Sequence, residues 1–189
     1  MGSRSLVEEA FRDPYKLDLK RVSRTILFID IKGFTLWTEK RSPNTVSEML
    51  EHFYRSAEEV INRHHGYPPN YLGDGILTRF ENPDWAISAA LDICRAMQTV
   101  LLPWKLSAGI GIAVGEVMEG LLGGKDIRQF DAIGDAVNTA SRLSGVAKPG
   151  EIVISSNVLQ RLQEPPKVSE PYEVTVKGKQ KPLTVYSLQ

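Results

Sequence analysis

Arg24-Thr25-Ile26-Leu27-Phe28-Ile29-Asp30-Ile31-Lys32-Gly33-Phe34-Thr35 is the stretch whose reading decides the fold. Its apolar run, Ile26 to Ile29, has the pattern of a strand buried on both faces. The run ends on Asp30, and then on a turn whose Gly33 suits a close backbone approach. A solvated acid at a strand end is ordinary, but a second acid stands in a matching place. Asp74 lies in Asn70-Tyr71-Leu72-Gly73-Asp74-Gly75, just ahead of the apolar Ile76 and Leu77. One long helical pattern separates the two acids. The order strand, helix, strand, hairpin, strand therefore makes the first two strands parallel and the third antiparallel to both. If the third strand inserts beside the first, Asp30 and Asp74 meet. Two carboxylates so close repel unless a positive charge lies between them, and a hard divalent cation with oxygen ligands fits that role.

A chain of 189 residues with 42% hydrophobic content suits one globular domain with a real core. Its 23 basic residues balance 23 acidic ones, which argues against nucleic acid as the main partner. The lone Cys94 falls in a helical pattern and reads as a small buried hydrophobe in a reducing compartment. His52, His64 and His65 are too few and too poorly spaced for a zinc site. No apolar run has the length of a membrane span, and no signal peptide is evident. Met1-Gly2-Ser3 resembles an expression-derived segment. Residues 1–23 read as a tether, partly ordered at best, and residues 24–189 as the domain. The expected location is cytoplasmic, with the cytosolic part of a membrane-anchored protein as the alternative.

Ser42-Pro43 opens an amphipathic helix with apolar positions Val46, Met49, Leu50, Phe53, Ala57, Val60 and Ile61, ended by Gly66. Tyr67 to Leu72 and Ile76 to Phe80 form a hairpin. Asn82-Pro83 opens a second helix, which Pro103 stops, and Ser107 to Val114 is the next strand. Its glycines, Gly109, Gly111 and Gly115, lie inside a strand pattern and not in a nucleotide loop, so they let a neighbouring element pack closely. The order βαββαβ predicts an α+β fold with a ferredoxin-like core in strand order 4-1-3-2. A C-terminal α/β extension follows: a short strand at Ile152 to Ile154, a helix over Ser155 to Leu162, and a hairpin of Tyr172 to Val176 with Leu183 to Leu188.

Between these parts, Ile127 to Ile133 reads as a strand, and Gly134-Asp135 opens a helix. Asn138 and Arg142, four apart, share one face of it. Asn is a poor interior helix residue, and an amide beside a guanidinium can grip ribose or phosphate oxygens; the pair also suits a solvated polar stripe. Lys177, Lys179 and Lys181 cluster in the last hairpin turn, where lysines serve solubility or bind phosphate.

Four motifs in order carry a resemblance to the catalytic domain of class III nucleotidyl cyclases, the adenylate and guanylate cyclase family. They are Phe28 to Thr35, Leu72 to Gly75, Phe130 to Arg142 and Val176 to Lys179, and the resemblance spans about residues 24 to 188. It implies attack of the ATP ribose 3′-hydroxyl on its own α-phosphate, giving 3′,5′-cyclic AMP and pyrophosphate. Two divalent cations, Mg²⁺ or Mn²⁺, would be held by Asp30, Asp74 and the backbone carbonyl of Ile31. Gly33, Phe34, Thr35 and Lys177 would bind phosphates, and Asn138 would orient the ribose. Arg142 would stabilise the transition state. Asn70 and Asp131 occupy the base-binding positions, where adenylate cyclases of the family typically carry lysine and aspartate and guanylate cyclases glutamate and cysteine. Asp131 fits adenine, whereas the Asn70 amide can donate to adenine or rotate to accept from guanine. The resemblance also implies a head-to-tail homodimer with shared sites, with an upstream regulatory or membrane module as a further partner. The alternatives are a guanylate or dual-specificity cyclase and a non-catalytic nucleotide-binding or dimerisation module.

Overall fold

A computed structural model describes residues 19–123, 128–176 and 181–188. Strand β1, Lys20–Lys32, is the central rail of the sheet. It begins inside the stretch expected to be tether, because Lys20 to Ser23 pair with Glu116 to Glu119. The short helix α1, Phe34–Thr38, follows through Gly33 in the left-handed region at φ 81°. Helix α2, Pro43–Arg63, starts on Ser42, whose hydroxyl accepts the Thr45 N–H. It buries Met49, Phe53, Ala57, Val60 and Ile61, one stripe at helical spacing. Strands β2, Asn70–Leu72, and β3, Gly75–Phe80, form the hairpin, so β2 is shorter than expected. Helix α3, Pro83–Val100, is capped by Asn82 and buries Ala86, Ala90, Ile93 and Met97.

Strand β4, Ser107–Gly123, runs well past Val114, and its outer half pairs with β5, Arg128–Ile133. Helix α4, Asp135–Val146, comes next. It is followed by β6, Ile152–Ser155, α5, Ser156–Leu159, β7, Tyr172–Val174, and β8, Leu183–Ser187. Helix α5 stops short of the expected Leu162, and the Ser155 side chain makes no cap bond. The sheet order is β2-β3-β1-β4-β6-β8-β7, which contains the expected 4-1-3-2 core.

The period of two along β1 divides the molecule into layers. Leu27, Ile29 and Ile31 pack with α2 and α3, in one core that also takes in Ile110 and Ile112. Ile26 and Phe28 face the other way, toward Ala136 and Ala140 of α4. Full burial of each large aliphatic side chain contributes about 1.5–3 kcal/mol. Gly109, Gly111 and Gly115 of β4 lie on the α4 side. A Cβ on Gly111 would collide with the backbone of Ala140, Leu143 and Ser144, so this glycine sets how closely the helix approaches.

Candidate active site

Asp30 is paired in register with Gly75 across the β1–β3 ladder, and the Ile31 N–H donates to the Asp74 carbonyl at 3.1 Å. The strand end carrying Asp30 thus meets the hairpin turn carrying Asp74, as the insertion of β3 beside β1 requires. Gly73, at φ 69°, needs the left-handed freedom that makes this turn tight. Tyr54 of α2 donates its hydroxyl to the Gly73 carbonyl and braces the turn. Burial pushes the Asp74 carboxyl above its ordinary range, and the Asp30 charge adds to this against the lowering effect of its backbone hydrogen bond. Two partly desolvated carboxylates with an adjacent main-chain carbonyl form an all-oxygen donor set, which fits hard cations such as Mg²⁺ or Mn²⁺. Among the described residues no group of three or more His, Cys, Asp or Glu side chains could hold a metal.

Asp30 also has a partner that sequence reasoning missed. Lys32 donates to Asp30 Oδ2 at 2.9 Å and to the carbonyls of Ser144 at 2.5 Å and Gly145 at 3.2 Å. An available signal was spacing, since residues two apart on a strand project from the same face. Gly33 caps α1 and Phe34 and Thr35 are its first residues, so their N–H groups lack intrahelical acceptors as at any helix start.

A second cluster forms around Asn70 and Asp131, the positions expected to bind the base. Asn70 is 4% exposed; its Nδ2 donates to the Phe130 carbonyl at 3.3 Å, and its Oδ1 accepts from Arg79 Nη1 at 3.4 Å. Asp131 is half-buried beside Phe130, and its Oδ1 accepts the Ala132 N–H at 2.8 Å. Arg79, 1% exposed, was missed as well, although a charge inside the apolar run of β3 was a visible anomaly. Nearby, Arg24 forks onto Glu119 at 3.0 and 2.5 Å, and Tyr67 donates to Glu81 at 2.6 Å. Burial, reinforced by that bond, raises the Tyr67 hydroxyl to about 12.

Helix α4 buries Ala136, Thr139, Ala140, Leu143 and Ser144 and leaves Asn138 exposed and Arg142 half-buried. Among the described residues, no hydrogen bond or ion pair joins Asp30 or Asp74 to Asn138, Arg142, Asn70 or Asp131. Lys177 and Lys179 lie outside the described residues, and Lys181 is exposed. Among the described residues no helix is long and apolar enough to cross a membrane.

A family model described as the adenylate and guanylate cyclase catalytic domain matches residues 19–189. An adenylate cyclase of Anabaena cylindrica is 33% identical over 183 residues, covering 87% of this chain and 36% of its own length. An uncharacterised protein of Mycobacterium tuberculosis is 31% identical over 170 residues, covering 85% of this chain and 31% of its own length. The chain therefore spans about a third of the length of the curated relatives it matches. Among solved structures, the guanylyl cyclase Cya2 superposes with a TM-score of 0.85 at 27% identity, covering 91% of this chain and 94% of its own. The adenylyl cyclase CyaB of P. aeruginosa has a TM-score of 0.85 at 23% identity, covering 92% and 96%, and shows the same fold.

Proposed function

This chain belongs to the family of adenylate and guanylate cyclase catalytic domains, and we propose that it converts ATP to 3′,5′-cyclic AMP and pyrophosphate in sites shared by two copies. One observation carries the shared site: among the described residues, no hydrogen bond or ion pair joins the two acids to the α4 pair Asn138 and Arg142 within one chain. A head-to-tail homodimer brings the acids of one copy to the helix of the other, and each dimer then has two equivalent sites.

In the reaction the O3′–Pα bond forms, the bond from Pα to the bridging oxygen of pyrophosphate breaks, and the 3′-hydroxyl loses its proton. When bound at Asp30, Asp74 and the Ile31 carbonyl, two divalent cations supply charge neutralisation and acidify the attacking hydroxyl. The chain's own residues supply geometry and further charge. Asn138 orients the ribose through its amide. Arg142 meets the charge that develops on the α-phosphoryl oxygens, and the main-chain N–H groups from Gly33 to Thr35 hold phosphate. Asp131 accepts from the adenine amino group, and Asn70 donates to the ring nitrogen beside it.

The likeness to the guanylyl cyclase Cya2 favours one second reading, GTP as substrate. Product formation from ATP and GTP in parallel, with Mg²⁺ and then Mn²⁺, across a range of chain concentrations separates the two. Cyclic AMP, with activity per chain rising with concentration, is expected. Cyclic GMP as the main product overturns the substrate assignment. No product from a folded, metal-loaded dimer points to a non-catalytic nucleotide-binding module.

A further inference from the structure

Arg79 is a buried cation that the reaction above does not use. It lies between two rings, with its guanidinium 5.7 Å from the Tyr67 centroid and 5.0 Å from that of Phe130. No carboxylate among the described residues forms an ion pair with it, since the nearby Glu119 is taken by Arg24. Its Nε has no hydrogen-bond partner among the described residues. Burial pulls the guanidinium below its ordinary value, opposed by the fields of Glu119 and Asp131. A charge held this way does little for stability and invites another explanation.

Its one side-chain hydrogen bond among the described residues supplies that explanation. Arg79 Nη1 points at Asn70 Oδ1, while Asn70 Nδ2 points at the Phe130 carbonyl. A guanidinium offers only donors and a carbonyl only accepts, so both neighbours demand the same orientation of the amide. Rotating it would set N–H against N–H on one side and oxygen against oxygen on the other. Asn70 is left with one N–H to offer. Adenine presents an acceptor at N1, where guanine presents a donor.

We propose that Arg79 is the positioning residue for base selection: it holds the Asn70 amide as a hydrogen-bond donor toward the nucleotide, which favours adenine and disfavours guanine. The inference rests on the reading that Asn70 and Asp131 line the base site. It removes the ambiguity that the amide has in isolation, because the rotation that would admit guanine is blocked from behind.

The test compares kcat/KM for ATP and GTP in the wild-type chain and in four variants, each checked for folding by circular dichroism. Arg79→Met removes a buried charge without orphaning another, and Arg79→Gln keeps polar capacity should the apolar variant fail to fold. Both release the amide and are expected to lower the ATP-to-GTP ratio about tenfold. Arg79→Lys, which still donates to the same oxygen, is expected to keep most of the ratio. A structural role would instead lower both substrates together and leave the ratio unchanged. Asn70→Ala separates the two levels of the argument. If it changes the ratio while Arg79→Met and Arg79→Gln do not, the positioning role is overturned and the base site stands. If it leaves the ratio unchanged, Asn70 is not in the base site and both ideas fall. A wild-type ratio near one also overturns the proposal.

Discussion

The Lys32 ammonium lies 2.9 Å from Asp30 Oδ2 and 2.5 Å from the Ser144 carbonyl, so one side chain ties a strand-end acid to the last turn of α4. A cation at a helix C-terminus also offsets the partial negative charge of its unpaired carbonyls. Lys32→Met removes both effects. The expected result is a loss of about 1 kcal/mol, read as a fall in Tm of about 3 °C, with a loss of cyclase activity as Asp30 loses its partner and the helix carrying Arg142 loses its tie to β1.

Gly111 and Gly145 are expected to behave oppositely. A methyl group at Gly111 meets helix backbone that cannot yield, and Gly111→Ala should cost about 3 kcal/mol. Gly145 lies within α4 facing open space, and Gly145→Ala should stabilise by about 0.5–1 kcal/mol. Urea unfolding of the two variants checks the pair.

The shared-site proposal predicts complementation. Asp30→Ala and Arg142→Ala should each be nearly inactive as homodimers. At equal mixing, half of the dimers are heterodimers with one intact site of two, so activity should return to about a quarter of wild type. A mixture that stays inactive while its subunits demonstrably exchange sinks the shared site.

Asn70→Lys introduces the residue type that the resemblance leads one to expect for an adenylate cyclase, but here it sets an ammonium against the buried Arg79 guanidinium. Like charges in that setting repel, and the single variant should lose stability. Asn70→Lys combined with Arg79→Met should recover it. Thermal unfolding of the single and double variants provides the measurement.

Asp92 of α3 accepts from His64 Nε2 at 2.9 Å and from Arg95 Nη1 at 2.8 Å. The His64 bond, aided by the neighbouring cations, holds its carboxyl below the ordinary range despite some opposing desolvation. A carboxylate depressed in the folded state contributes stability that is full above its unfolded value, about 3.9, and is lost as pH falls through the lower folded value. Asp92→Asn should therefore lower Tm slightly at pH 6, by less than about 3 °C, and the difference from wild type should close near pH 2.

Much of this molecule was legible in one dimension. The apolar run of β1, the caps at Ser42 and Asn82 and the stripes of α2 and α3 follow from local periodicity, and the strand order follows from connection rules. The meeting of Asp30 with the Asp74 turn followed from that order. The start of β1 at Lys20 and the length of β4 were less legible, because residues outside the apolar run become strand only by pairing with a distant partner. Lys32 stood in the quoted stretch and Arg79 in the hairpin strand Ile76 to Phe80, yet neither shows its role there. The acceptors of Lys32 at Ser144 and Gly145 lie more than a hundred positions away.

By itself the sequence determined the elements, their order and the acids that the order must bring together, because these depend on local pattern and short connections. Only the tertiary structure decided what each polar group faces. Asn70 read alone is an amide with two orientations. Set between Arg79 and the Phe130 carbonyl, it has one, because hydrogen-bond direction is a property of neighbours and the fold chooses the neighbours.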